Sequence, residues 1–439
     1  MIAAALAGRA DRHPERPLLR SARSSLSFGA CQQQAGRLAD ELRSWAGGRV
    51  ALAGTTTEWL LPRLAALDAL SCRLYLPPQE PSAALDEVSH RHGLDAVLAE
   101  VRGAPVTFTR PPVVAPPAAG ELVLFSSGTT GTPKAVLQTW PRLARRIRTG
   151  AELEGSCWLA SYAVTTFAGL QVLLHALLNG ATLVVPPSDP GKAAALAREA
   201  GVTHVSGTPS FYRLLLARAA DADLAALSLR QLTLGGEAAE QALLDALRAR
   251  FPQARLTQIY ASTEMGACFS VQDGLAGFPS EYLRGERDGV RLRIVDGELY
   301  VGSAGAMKGY LDGAPLPPGE LHPTGDLVGE RADRVLFVGR RGTRINVGGS
   351  KAQPEEVEAV VREVPGVLAV RVSGAASSLV GQLVRAEVVL DAGVDAAEAR
   401  RLILARCRER LRPHMVPRLL EFVDELVRTG SGKLRRGRP

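Results

Sequence analysis

Between Leu122 and Tyr260 the chain alternates short, largely apolar runs with helix-length stretches. Leu122–Phe125 predicts a buried strand, Leu170–Leu178 a helix, Ala181–Val185 a strand and Ala193–Ala200 a helix. Val202–Ser206 predicts a strand, Tyr212–Arg218 a helix, Leu232–Leu234 a strand, Ala239–Arg250 a helix and Leu256–Tyr260 a strand. Strands without a polar face must be covered on both sides, and the intervening helices supply the cover. The expectation is an α/β fold whose large N-terminal domain is built of layered sheets.

After Gly274 the texture changes. Short runs between glycine turns, Val290–Val295, Glu298–Val301 and Val335–Val338, predict a small β-rich lobe attached to the large domain. From about Gly342 the pattern is a hairpin, a helix from Pro354, strands at Val367–Val372 and Val384–Leu390, and a long helix Ala396–Leu411. That set suits a small, mobile α+β C-terminal domain, so the expected division is 1–341 and 342–439. Val101–Gly120, rich in proline and alanine, predicts a surface connection.

Composition narrows the class. Of 439 residues, 46% are hydrophobic and 22% charged, which excludes disordered and fibrous chains. No apolar run approaches the roughly 20 residues needed to span a bilayer. The N-terminal stretch lacks a basic leader and reads as the first helix of the mature protein. Cys31, Cys72, Cys157, Cys268 and Cys407 are scattered, with no Cys-x-x-Cys, and the seven histidines show no ligand spacing. Reduced thiols in a cytoplasmic protein are expected, without a zinc site or disulfide framework. The net charge of +7 is concentrated: from Arg340 onward there are 19 Lys/Arg against 12 Asp/Glu, and the rest of the chain balances. A solvated arginine-rich surface and a dock for a phosphate-bearing or acidic partner both fit. Nucleic acid does not, because Phe422 is the lone aromatic of that segment.

The chemistry begins directly after Leu122–Phe125, at Ser126-Ser127-Gly128-Thr129-Thr130-Gly131-Thr132-Pro133-Lys134. Glycines let backbone N–H groups approach an anion, hydroxyls add donors, and the lysine adds a point charge. It is not the P-loop pattern: Ala135 follows the lysine, where that motif needs a Mg2+-binding hydroxyl. Downstream, Glu264 follows a strand and the hydroxyl pair Ser262-Thr263. A lone carboxylate there suits a hard cation.

This loop resembles the phosphate-binding signature of the adenylate-forming superfamily. That superfamily comprises acyl- and aryl-CoA ligases, adenylation domains of nonribosomal peptide synthetases, and beetle luciferases. Gly235-Gly236-Glu237, Tyr260–Gly266 (YASTEMG), Gly309-Tyr310, Thr324-Gly325-Asp326, the stretch from Gly339 (GRRGTRINVGGSKAQPEEVE) and the TGSGK ending at Lys433 follow in that family's order. The resemblance spans about Leu122 to Arg436. The first 120 residues are only loosely similar and short for the family.

The resemblance implies an ATP-dependent acid–thiol ligase: ATP and Mg2+ turn a carboxylic acid into acyl-AMP, which a thiol captures. It implies that Ser126, Ser127, Gly128, Thr129, Thr130, Gly131 and Lys134 bind ATP phosphates. Glu264 would hold Mg2+ and Thr263 would reach the α-phosphate. Gly235, Gly236, Glu237 and Tyr260 would meet the adenine, with Tyr260 stacking on it. Asp326 would accept the ribose hydroxyls, assisted by Arg340. Lys433 is the implied catalytic lysine: carboxylate and α-phosphate repel each other, and a cation between them stabilises their approach. Gly342 occupies the hinge position, where the family commonly has Asp or Lys, and glycine tolerates large backbone changes. Gly348 and Gly349 match the loop lining the thiol's tunnel.

Thr165, Phe167, Ala168, Ser206, Gly207 and Ala261 are the expected acyl-pocket residues. Phe167 stands where amino-acid-activating relatives carry an aspartate, which disfavours α-amino acids. An aryl acid such as a hydroxybenzoate, or a short to medium acyl chain, fits the wall. The acceptor is CoA or the phosphopantetheine of an acidic acyl carrier protein, supplied in trans. No nucleic-acid or membrane partner is expected, and a homodimer is left open. The alternatives are an adenylation-only enzyme and a non-catalytic binder of acyl-AMP or nucleotide.

Overall fold

The computed structural model describes residues 1–54, 56–77, 91–100, 120–126, 134–187, 189–313, 315–317, 319–377 and 380–426. Of the expected connection at Val101–Gly120, only Gly120 falls among them.

An eight-stranded sheet carries the first layer. Its order is Gly266–Val271, Arg255–Ser262, Gln231–Gly235, His204–Gly207, Cys157–Ala160, Thr182–Val184, Pro17–Arg20, Ser25–Ser27. The six inner strands run parallel, and the two edge strands pair antiparallel. Alternate residues enter opposite cores, as strand pleat requires. Trp158, Ala160 and Leu183 join one apolar cluster, whereas Cys157, Leu159 and Val184 join another. The sheet is therefore covered on both faces, as expected.

The helices that cover it begin and end at readable signals. Helix Phe167–Asn179 starts three residues before its apolar run because the Thr166 hydroxyl accepts from the Gly169 N–H, and it stops at Gly180 with φ of 61°. Helix Pro190–Ala200 opens on an Asp189 cap and Pro190, and ends at Gly201. Helix Pro209–Arg218 opens on Thr208 and Pro209.

A second sheet, of six strands, has the order Gly309–Tyr310, Lys134–Thr139, Glu121–Ser126, Arg73–Leu76, Arg49–Ala53, Ala96–Ala99. The helices Ile2–Arg12, Phe28–Glu41 and Thr57–Ala69 pack between it and the first sheet in one continuous core. The expected β-rich lobe is a six-stranded antiparallel sheet running from Phe278–Pro279 to Arg334–Arg340. The C-terminal α+β domain has its own core, from Ile345 to Leu420, around strands Val367–Ser377 and Gly381–Leu390 and helices Pro354–Arg362 and Ala396–Arg410. A single 3-10 turn, Arg341–Thr343, joins it to the strand before it. All five cysteines are free and buried. No described helix is long and apolar enough to cross a membrane.

Candidate active site

In a parallel sheet the carboxyl ends of the strands share one edge, and ligands bind outside it. Here that edge is formed by Ser161, Gly207, Gly235 and Ser262, each at or just past the end of its strand. The pairing places Ser206 opposite Ala160, Gly207 opposite Leu234 and Gly235 opposite Ile259. The fold thus sets Ser206, Gly207 and Gly235, three of the residues expected from sequence, side by side at this edge.

Gly235 is the most open of these positions. A β-carbon there would meet only the Tyr162 hydroxyl at 3.5 Å and the Ile259 carbonyl at 3.6 Å. Tyr162 is buried and donates to the Gly235 carbonyl at 3.3 Å, and burial pushes its phenol upward. Gly207 is different. A β-carbon there would lie 2.7 Å from Phe211 Cδ1 and 2.9 Å from Ser161 Oγ. Ser161 Oγ is buried without a hydrogen-bond partner among the described residues, so a polar ligand atom would satisfy it. Thr165, Phe167 and Ser206 are buried, and Ala168 and Ala261 are partly buried against the same core. Phe167 packs into that core at the first turn of its helix.

A second polar cluster lies where the first sheet meets the β-rich lobe. The Tyr260 hydroxyl donates to Asp326 Oδ2 at 2.6 Å, and Arg340 Nε lies 2.7 Å from Oδ1. Register explains the second contact, because Asp326 pairs directly with Arg340 across the sheet. Gly325 N–H donates to Glu298, which Arg341 also holds at 2.7 Å. The Tyr260 ring stacks on Phe269 and Phe337, each 5.1 Å away. Its hydroxyl is what enters this cluster. Burial first, and Asp326 second, push that phenol up. Gly236, with φ of 85°, needs glycine for its backbone. The Glu237 carboxylate is turned to helix Pro209–Arg218, where it accepts from Ser210 N–H at 3.1 Å and Ser210 Oγ at 2.6 Å.

A third polar cluster is built on the turn Ser262–Gly266. Ser262 Oγ accepts from Met265 N–H at 2.9 Å. Gln138 Nε2 donates to the Thr263 carbonyl at 2.8 Å, and the Glu264 carbonyl accepts from Met307 N–H at 2.6 Å. Around the Glu264 carboxylate stand Tyr310, whose hydroxyl faces it, and His322. Burial is the first cause of both shifts: the Tyr310 phenol is pushed up to about 12, and the His322 imidazole is lowered. Lys134 Nζ sits 5.1 Å over the Tyr310 ring. Ser126 pairs with Lys134, so the strands flanking the glycine- and hydroxyl-rich segment end side by side. Ser127, Gly128, Thr129, Thr130 and Gly131 lie outside the described residues, as does Lys433.

No group of three or more His, Cys, Asp or Glu side chains gathers among the described residues. A lone Glu264 fits Mg2+, which keeps waters and takes one or two carboxylates plus the phosphates of a bound ligand. Gly342 sits in the Arg341–Thr343 turn. Gly348 and Gly349 form the exposed tip of the hairpin Ile345–Val347 and Ser350–Ala352. Nothing lies within 4 Å of a β-carbon built on Gly349. The structure therefore does not bring that loop to the acyl pocket. Sequence reasoning gave no role to Tyr162, Ser161, Tyr310 or His322. Tyr310 stood in a recognised Gly-Tyr pair, and His322 stood two residues before Thr324.

The family model for AMP-binding enzymes matches residues 105–311, and that for the AMP-binding enzyme C-terminal domain matches 356–433. A 2-succinylbenzoate–CoA ligase from Geobacillus kaustophilus is 32% identical over 338 residues, covering 72% of this chain and 67% of that protein. Two solved structures of o-succinylbenzoate CoA synthetase (MenE) from Bacillus subtilis share the fold. The one with the acyl-adenylate OSB-AMP gives a TM-score of 0.73 at 22% identity, covering 98% of this chain and 96% of that one. The one with ATP and magnesium gives 0.71 at 22% identity, covering 98% of each. The chain belongs to the AMP-binding enzyme family, in its acid–thiol ligase branch.

Proposed function

We propose that this protein is an AMP-forming aryl-acid–CoA ligase acting on an acid of the 2-succinylbenzoate type. The observation that carries the reading is the arrangement along one sheet edge. The ribose clasp of Tyr260, Asp326 and Arg340 flanks the open backbone at Gly235, and Glu264 with Lys134 stands at the phosphate end. The kinship to 2-succinylbenzoate–CoA ligases supports the aryl acid and CoA. The buried Phe167, where a carboxylate would be needed to hold an ammonium group, supports an acid without an α-amine.

In this reading Asp326 orients the ribose, and the adenine and acyl groups lie against Gly235 and Gly236. Glu264 would hold Mg2+, whose charge would offset that of the phosphates. Lys134 and the loop that begins at Ser126 hold the departing pyrophosphate. Lys433 brings the carboxylate to the α-phosphorus, and acyl-AMP and pyrophosphate form. The C-terminal domain, taken as residues 342–439, then turns about Gly342 and presents Gly348 and Gly349 to the thiol. The CoA sulfur attacks the acyl carbon and AMP leaves.

The test is incubation with ATP, Mg2+ and a panel of aryl, fatty and amino acids, with CoA, with a holo-acyl carrier protein, or with neither, read by mass spectrometry. An aryl-CoA thioester is the expected product. Acyl-AMP without thioester would favour an adenylation-only enzyme, a thioester on the carrier alone would replace the acceptor, and no product would favour a non-catalytic binder.

A further inference from the structure

Arg362, the last residue of the C-terminal helix Pro354–Arg362, reaches into the N-terminal domain. Its Nη2 and Nε lie 2.6 and 2.9 Å from Glu240 Oε1, and only 15% of its side chain is exposed. The same carboxylate oxygen stands 4.0 Å from Arg213 Nη2. Arg213 Nη1 lies 3.4 Å from Ser210 Oγ, and Ser210 grips Glu237 through both its N–H and its hydroxyl. Glu237 closes the Gly235-Gly236-Glu237 wall. Behind Arg362, Glu358 stands 3.8 Å away and accepts from Val372 N–H at 2.9 Å, inside the C-terminal sheet. One polar chain thus runs from that sheet to the wall of the nucleotide site.

Glu240 is the pivot, because it lies between two guanidinium groups. Burial, and next the neighbouring Arg362, lower the Arg213 pKa. Removing the carboxylate would leave two poorly solvated cations facing each other, which is far costlier than losing a surface pair. With these contacts made, Gly348 lies against Val380 of its own domain and Gly349 faces open space. The orientation that engages Arg362 is therefore not the one that lines a thiol path with that hairpin.

We infer that Arg362 is a positioning residue for adenylate formation: through Glu240 and Arg213 it locks the C-terminal domain onto the Gly235–Glu237 wall in the adenylate-forming orientation. The inference rests on the ligase reading above. It assigns Arg362 no contact with substrate.

The experiment is a charge exchange: Arg362→Glu, Glu240→Arg and the pair together, each checked for folding by its Tm. Acid-dependent pyrophosphate exchange and CoA capture of supplied acyl-AMP are measured separately. Trypsin cleavage after the exposed Arg341 reports domain engagement without turnover. Each single variant should slow exchange about tenfold, leave thiol capture within about twofold and speed cleavage; the double variant should recover part of both, short of wild type because Arg213 and Glu358 then face like charges. Equal loss of the two half-reactions, unchanged cleavage, or a double variant no better than the singles would overturn the inference. If wild type exchanges no pyrophosphate while the cleavage pattern holds, the ligase reading fails and the domain lock stands.

Discussion

The Tyr260 hydroxyl and the Asp326 carboxylate meet at 2.6 Å across the boundary between the parallel sheet and the β-rich lobe. With Arg340 at its other oxygen, Asp326 is held in place by partners from both sides. A carboxylate fixed this way can accept hydrogen bonds from a ligand's hydroxyls without reorganising.

Asp326→Asn removes that charge and one acceptor. Losing a hydrogen bond to a charged group costs about 1.5–3 kcal/mol. The KM for ATP should rise roughly ten- to hundredfold, while the KM for the acid changes little. Equal changes in both would place Asp326 elsewhere than at the ribose.

Gly235→Ala separates a structural glycine from one kept bare for a ligand. Its backbone does not need positive φ, and the added methyl has room within the protein. Tm should stay within about 2 °C of wild type, because a surface-like change costs within about 0.5 kcal/mol, while adenylate formation falls at least about tenfold from a misplaced ligand. Unchanged activity would remove Gly235 from the site.

Glu264→Gln keeps the shape of the turn, which is held by backbone and Ser262 contacts rather than by the carboxylate. The variant should still bind ATP alone. It should lose the tightening that Mg2+ gives, and adenylation should drop about a hundredfold or more. Retained Mg2+-dependent ATP binding, measured by calorimetry, would contradict the metal role.

His175 and His204 flank Trp158, with ring centroids 5.2 and 4.4 Å from its ring. Burial lowers both imidazoles from 6.5 to about 4, and Arg230 and Arg255 add to the shift at His204. Between pH 6.5 and 4 the unfolded chain binds protons that the folded chain refuses. Stability therefore falls as pH drops through that window and is regained as pH rises. His204→Phe should shrink the Tm loss between pH 7 and 4.5 by about 2–4 °C. An unaltered pH slope would show that this pair does not titrate as described.

Much of this architecture was legible because its signals are local. The apolar run at Val290–Val295 became a strand with those same bounds, and Leu232–Leu234 extended by one residue at each end. Helix starts at Thr166 and Thr208 depend on side-chain caps, so those helices begin three residues before their apolar runs. Pairing across long separations was not legible. Nothing in Pro17–Arg20 announces that it joins the same sheet as Thr182–Val184, nor does Gly309–Tyr310 announce its place beside Lys134–Thr139. The site followed the same division. Asp326, Arg340 and Glu264 stood in recognisable runs, whereas Tyr162, Ser161 and His322 acquire meaning only once distant strands converge.

The most direct measurement is pyrophosphate exchange into ATP by the purified protein, with and without 2-succinylbenzoate and with CoA omitted. Exchange should require both the aryl acid and Mg2+, because acyl-AMP forms reversibly before any thiol enters. Exchange independent of every acid, or none with any acid in the panel, would contradict adenylate formation at the Gly235, Glu264 and Asp326 site.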